Sequence, residues 1–140
     1  MLRLSRKVDY GLAFLSTLAE RPGEWVALSA VAEKRRISPK FLSQLAVSLR
    51  GAGIIDSREG VGGGYKLKKQ ARQVRIKDVV EALEGNLALV DCLAHQERPC
   101  PIEGVCIQKP MWRKVQGQLD NALSKISLSD LAVSGKKARS

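Results

Sequence analysis

The chain has 140 residues, of which 44% are hydrophobic and 27% are charged, and its net charge is +10 at pH 7. No apolar run approaches the roughly 20 residues of a membrane span, and residues 1–7 open an amphipathic pattern instead of an apolar signal core. We therefore expect one cytoplasmic globular domain without membrane contact. Residues 1–72 hold 14 of the 24 Lys and Arg but only 6 of the 14 Asp and Glu. This asymmetry favours binding to a polyanion over a generally basic surface.

Apolar residues at helical spacing predict the first two helices. The first covers residues 5–19, and Arg21, Pro22 and Gly23 end it. The second covers residues 28–34. The buried stripe predicted for the first helix consists of Leu4, Val8, Leu12, Leu15 and Ala19.

A third helix begins with clear signals. The Ser38 side chain can cap its free N–H groups, Pro39 suits the first helical position, and Gly51 or Gly53 can end it. Its predicted buried stripe is Phe41, Leu45, Leu49 and Ala52. The opposite face carries Lys40, Ser43, Gln44, Val47 and Ser48.

Two short β-prone segments, residues 54–58 and 65–68, flank a glycine-rich turn and predict a hairpin. Three helices followed by a hairpin form a winged helix–turn–helix. The predicted fold class is therefore mainly α with a small β-hairpin wing, extended by a long dimerisation helix.

The second half of the chain contains two more helical patterns. Ile76, Val79, Val80 and Leu83 predict a fourth helix, and residues 91–109 are expected to form a loop with short helical turns. Pro110 then opens a longer helix with an apolar stripe at alternating spacings of three and four, as in paired helices. We expect this stripe to form a homodimer interface, although it could also pack on its own chain. Its members are Trp112, Val115, Leu119, Ala122 and Ile126.

Three cysteines, Cys92, Cys100 and Cys106, are the only ones in the sequence. An odd, clustered set is more typical of metal or redox chemistry than of a disulfide framework. Thiolates suit iron–sulfur clusters and zinc, and His95 would complete a Cys₃His zinc set. A disulfide-forming redox switch is a third interpretation.

Catalysis is not expected. The glycines at 60–64 superficially resemble a nucleotide-binding loop, but a strand pattern follows where such a loop needs a helix. Cys92 and His95 lack a third orienting group for nucleophilic chemistry. The predicted organisation is a winged-helix domain at 1–72, a connecting helix and cysteine loop at 73–109, a dimerisation helix with its extension at 110–132, and a disordered basic tail at 133–140.

Taken together, residues 2 to about 132 resemble the Rrf-type family of winged helix–turn–helix transcription regulators, which includes IscR-, NsrR- and RirA-like iron–sulfur proteins. Each matching segment is weak alone, but their order is highly specific. They are residues 4–10, 37–45, 49–55, 60–67 and 79–85, together with the three spaced cysteines.

The resemblance implies a homodimer on a palindromic double-stranded operator and favours an iron–sulfur cluster over zinc on Cys92, Cys100 and Cys106. It leaves two-iron and four-iron clusters open. Some relatives take a fourth ligand from an acidic residue of the partner's first helix, a position that Asp9 matches. His95, Glu103 and an exogenous ligand are the alternatives.

For DNA, Gln44 can pair bidentately with adenine, while Lys40 and Ser43 can reach bases or phosphates. Family members commonly place an Arg immediately before the glycine turn, to enter the minor groove. Here Glu59 occupies that position and Arg58 precedes it, which puts the wing's base contact in doubt. The expected phosphate contacts are Ser38, Arg6 and Lys7, and further candidates are Lys34, Arg35 and Arg36.

Overall fold

The computed structural model describes residues 3–94, 101–102 and 104–131, so the predicted tail at 133–140 lies outside it. None of the helices within these ranges is long and apolar enough to cross a membrane. In chain order the elements are α1 (Arg6–Ala19), α2 (Leu28–Arg35), α3 (Pro39–Gly51), β1 (Ile55–Arg58), β2 (Gly64–Leu67), α4 (Ile76–Glu84), α5 (Asp91–Ala94) and α6 (Lys109–Lys125), with a 3₁₀ turn at Ala71–Gln73.

Helices α2 and α3 form the helix–turn–helix, and their boundaries follow the predicted ones closely. Arg36 ends α2 in a left-handed conformation with φ of 55°, and the chain turns directly into α3. Gly53, with φ of 75°, ends α3 by letting Ile54 donate its N–H to the carbonyl of Leu49 at 3.0 Å. The predicted buried stripe of α3 is wrong in part, because Ala52 is exposed at this turn. The buried residues are Leu42, Leu45, Ala46 and Leu49.

The wing is an antiparallel hairpin in which Ile55 pairs with Leu67 and Arg58 with Gly64. The segment before α2 joins it, because Val26 and Tyr65 exchange N–H to carbonyl bonds of 2.8 and 2.9 Å. Gly64 has φ of 140°, and a Cβ there would collide with the Val26 carbonyl. Glycine is thus required where the wing joins the helical body.

The core lies between α1, α3 and α4. Phe14, Leu15, Leu42, Leu49 and Val79 are almost completely buried in it. All four apolar residues that predicted α4 are buried, whereas Leu4, assigned to the stripe of α1, is 45% exposed and precedes the helix. The family of local patterns therefore predicted the core better than the helix ends.

After α6 the chain returns to the body. Ile76 donates its N–H to the Ile126 carbonyl at 2.9 Å, and Leu128 donates to the Val74 carbonyl at 2.8 Å, which places Leu128 in the core. The predicted long helix begins one residue earlier than expected, at Lys109, and it ends at Lys125. Ile126 is extended and does not continue the helical stripe, because its backbone is committed to residues 74–76.

Candidate DNA-binding surface and cysteine loop

The polar face of α3 is exposed. Lys40, Ser43 and Gln44 lie on the side of the helix away from the buried Leu42, Leu45 and Leu49. Because residues three and four apart share a helix face, these three side chains form one surface. The predicted base-reading residues are thus brought together on an accessible helix, of the kind that fits the major groove.

A cleft of about 470 Å³ lies at the beginning of α3. It collects the three predicted phosphate contacts, Arg6, Lys7 and Ser38, although they belong to two different helices, and it adds Arg36. The remaining lining residues are Ser5, Tyr10, Ile37 and Phe41. Three cationic side chains beside a helix N-terminus make this cleft suitable for a phosphate.

The prediction that the Ser38 side chain caps α3 is wrong. Ser38 occupies the N-cap position, but its hydroxyl makes no capping hydrogen bond. The first N–H groups of a helix have no partner within it, so here they remain available to an anion in the cleft.

Lys34 and Arg35 are engaged elsewhere. Both pair with Glu20, Arg35 with an Nη2 to Oε1 distance of 3.1 Å, and Arg35 Nε also donates to Thr17 Oγ1 at 2.7 Å. The Lys34 hydrogen bond and the charges of both cations lower the pKa of Glu20. These contacts distinguish the pair from Arg6, Lys7 and Arg36, for which no salt bridge occurs within the described ranges.

The wing carries a cationic cluster that sequence reasoning missed. Trp25 is half-buried, with the Lys66 Nζ at 4.5 Å and the Arg58 guanidinium carbon at 6.0 Å from its ring centroid. Such distances are those of cation–π contacts. Arg58 is exposed at the end of β1, beside the Trp25 ring, and Glu59 follows it in the turn. The signal for Trp25 was its single aromatic ring in an otherwise polar segment between two helices.

The structure describes two of the three cysteines. Cys92 in α5 and Cys106 before α6 are half-buried free thiols. Cys100, His95 and Glu103 lie outside the described residues. Asp9 is exposed on α1, and no group of three potential metal-binding side chains converges among residues 3–94, 101–102 and 104–131.

Gln116 of α6 fixes the segment that leads into the cysteine loop, and it was also missed. Its Oε1 accepts the N–H of Leu89 at 2.8 Å, and its Nε2 donates to the Leu87 carbonyl at 2.7 Å. Asp120 accepts a further hydrogen bond from the same amide at 3.0 Å. The polar character of Gln116 is common on helices, so only the folded backbone reveals its role.

The predicted dimer stripe of α6 is largely uncovered by its own chain. Trp112 and Leu119 are half-buried, Val115 is 40% exposed, and Ala122 is exposed. Ile126, beyond the helix end, is 42% exposed. By contrast, Leu123 packs against the core from the same helix. The side of α6 that carries Leu123 therefore faces α4, and the stripe is left for another contact.

A helix–turn–helix with an exposed polar face, a basic cleft at its N-terminus and a β-hairpin beside it define a winged-helix DNA-binding protein. The chain belongs to the Rrf2 family: the family model, described as an iron-dependent transcriptional regulator, matches residues 4–134. Fold class and family resemblance are thereby confirmed. Its relatives are named as transcription regulators, which are not enzymes, in agreement with the prediction.

Individual relatives are similar over most of their length. The chain is 34% identical to "Protein rrf2" of Nitratidesulfovibrio vulgaris, over 93% of this chain and 87% of that protein. The structure of CymR, titled the global cysteine regulator of B. subtilis, matches with a TM-score of 0.76 and 30% identity, over 95% of this chain and 98% of that one. The structure of T. potens IscR matches with a TM-score of 0.77 and 29% identity, over 99% and 92%.

Proposed function

We propose that the chain forms a homodimer that binds an inverted-repeat operator in double-stranded DNA and is controlled by an iron–sulfur cluster. The carrying observation is that the exposed polar face of α3 adjoins a cleft with three cations free of the described carboxylates. Family membership supplies transcription regulation, which also implies action where the chromosome is, in the cytoplasm.

In this proposal α3 lies in the major groove. Gln44 pairs with an adenine, Lys40 and Ser43 contact neighbouring bases or phosphates, and Arg6, Lys7 and Ser38 hold one phosphate in the cleft. Arg58, oriented by Trp25, contacts the backbone or minor groove beside the wing. The contacts of α3 would specify sequence, while those of the cleft would set its position.

The stripe of α6 supports dimerisation. A half-exposed tryptophan and leucine along one helix face gain free energy when a second copy covers them. A two-fold dimer would present two α3 helices to half-sites one helical turn apart, about 34 Å. Trp112, Val115, Leu119 and Ala122 form the proposed helical interface, and Ile126 extends it beyond the helix.

The thiols described fit the proposed cluster. Cys92 and Cys106 are unpaired soft donors on one loop, and Cys100 is expected to complete a three-thiolate set. When bound, the cluster supplies a redox- and iron-sensitive link whose loss frees the loop. Asp9 of the partner subunit is the proposed fourth ligand, since it is exposed on α1.

Two contacts connect the cysteine loop to the DNA-binding surface. Gln116 holds residues 87–89 at the start of the loop. At the end of α4, Glu84 accepts a 3.2 Å hydrogen bond from the Ser5 N–H and a second from the Ser5 hydroxyl. Ser5 lines the phosphate cleft. A change in the loop can thus reach the start of α1, and through it the spacing of the phosphate contacts.

Selection of genomic DNA fragments by purified protein tests the proposal, with apo and holo forms handled anaerobically. We expect an inverted repeat to be enriched, and Gln44→Ala to lose discrimination at one position per half-site, by about 1–3 kcal/mol. Failure of every sequence to outcompete bulk DNA would refute the regulator.

The cofactor is tested separately. Anaerobically purified protein should be brown and should contain iron and acid-labile sulfide. Zinc in their place would establish the zinc-bearing alternative, and a metal-free protein whose thiols oxidise reversibly would establish a thiol switch.

A further inference from the structure

One exposed residue of α3 has no role in the surface described above. Val47 is 73% exposed, although valine is among the residue types most often buried. It lies three residues after Gln44 and three before Arg50, so it continues the same helix face. The middle of the proposed DNA-reading surface is therefore apolar.

Val47 is held at a defined place. It lines a groove of about 330 Å³ between α3 and the wing, together with Ala46, Arg50, Gly51, Ser57 and Tyr65. A β-branched side chain in a helix has essentially one χ1 rotamer. Its two methyl groups are consequently presented in a fixed direction beside the groove, with the Arg50 cation on the next turn.

The major groove offers one apolar group to such a side chain. Among the base edges exposed there, the C5-methyl of thymine is the only apolar one, and it is absent from the minor groove. Resting on the proposed function, which places α3 in that groove, we propose that Val47 contacts the C5-methyl of one thymine in each half-site. Val47 thereby selects thymine over cytosine at a position next to the base pair read by Gln44.

Uracil substitution tests this contact with a single methyl group removed. Each thymine of the selected operator is replaced in turn by deoxyuridine, and affinity is measured by fluorescence anisotropy. Burial of one methyl corresponds to about a four-fold change in Kd. We expect one thymine per half-site to show a loss of about this size that depends on Val47.

The dependence is measured with a double-mutant cycle. Val47→Ala should bind the thymine and uracil operators equally well, while Val47→Thr, which retains one methyl, should keep part of the difference. Val61→Ala removes an equally exposed valine from the wing turn and should keep all of it, because the wing does not meet the major-groove methyl. Replacing the thymine by 5-methylcytosine should be tolerated better than replacing it by cytosine, with wild type only.

The outcomes separate this inference from the proposed function. Selective operator binding combined with an equal effect of Val47→Ala on thymine and uracil operators would overturn the methyl contact alone. Absence of selective binding would overturn both. Because Val47 is exposed, Val47→Ala should leave the melting temperature unchanged, and a variant that melts early is replaced by Val47→Thr for the comparison.

Discussion

The two halves of the molecule are stabilised in different ways. Of the buried apolar side chains in the described ranges, all except Leu128 lie between Val8 and Leu83. The 17-residue helix α6 has no buried residue, and the loop before it exposes Ile102, Val105 and Ile107. The winged-helix half thus has its own interior, whereas the second half displays apolar surface and thiols that call for further partners.

This difference suggests a division of labour. A rigid core holds the cleft and α3 in fixed relation, which sequence-specific binding requires. The less buried half has few contacts of its own, so its geometry can depend on a second subunit and on a bound group. Regions with few buried contacts are those that move most easily.

The largest expected effect lies in the core. Phe14→Ala removes a fully buried ring and should lower the free energy of unfolding by about 3–5 kcal/mol. Chemical denaturation at several protein concentrations measures it. A loss of less than about 1 kcal/mol would mean that the first half does not depend on this interior.

The second prediction concerns α6. Leu119→Glu would place a charge in the proposed dimer interface and should weaken dimerisation by about 1–3 kcal/mol per subunit. Sedimentation equilibrium measures the change. Asn121→Glu adds the same charge at an exposed position of the same helix and serves as the matched control. A monomeric wild-type protein at micromolar concentration would contradict the dimer.

The third prediction concerns the thiols. Cys92→Ala should abolish the iron–sulfur absorbance and shift operator affinity as far as removal of the cluster does, by about 5–150-fold. Asp9→Ala should leave the absorbance in place but make it decay faster in air. Equal operator affinity of apo and holo wild-type protein, at one salt concentration, would remove the switch even if the cluster exists.

The smallest effect distinguishes two kinds of cation within the winged-helix half. Arg36→Ala removes a side chain from the cleft and should reduce the slope of log K against log salt by about 0.9. Lys34→Ala is the control, since Lys34 pairs with Glu20, and it should leave the slope unchanged. Equal slopes for the two variants would remove the cleft from the DNA-binding surface.

The Glu20 pair adds a pH dependence to this comparison. Its lowered pKa means that its stabilisation is present above the ordinary carboxyl pKa and is lost as the pH falls through the lowered value. The Lys34 and Arg35 contacts should therefore weaken only in acid, whereas the Arg36 guanidinium keeps its charge throughout.

The sequence by itself determined the elements that depend on local patterns. Helical periodicity, the Pro39 start and the Gly53 end of α3, and the glycine turn of the wing were sufficient to predict the winged helix, because each is a property of neighbouring residues. The exposed face with Gln44 followed from the same periodicity. The three cysteines stood out by their chemistry alone.

Only the tertiary structure decided which distant residues meet. It joined Arg6 of α1 to Arg36 and Ser38 in one cleft, turned Lys34 away to Glu20, and carried the backbone of Ile126 to residue 76. Local spacing carries no information about such contacts, since they depend on how helices pack around a shared core. The hydrogen bonds of Gln116 to the carbonyl of Leu87 and the N–H of Leu89 belong to the same class, because a backbone group has a position only after the chain has folded.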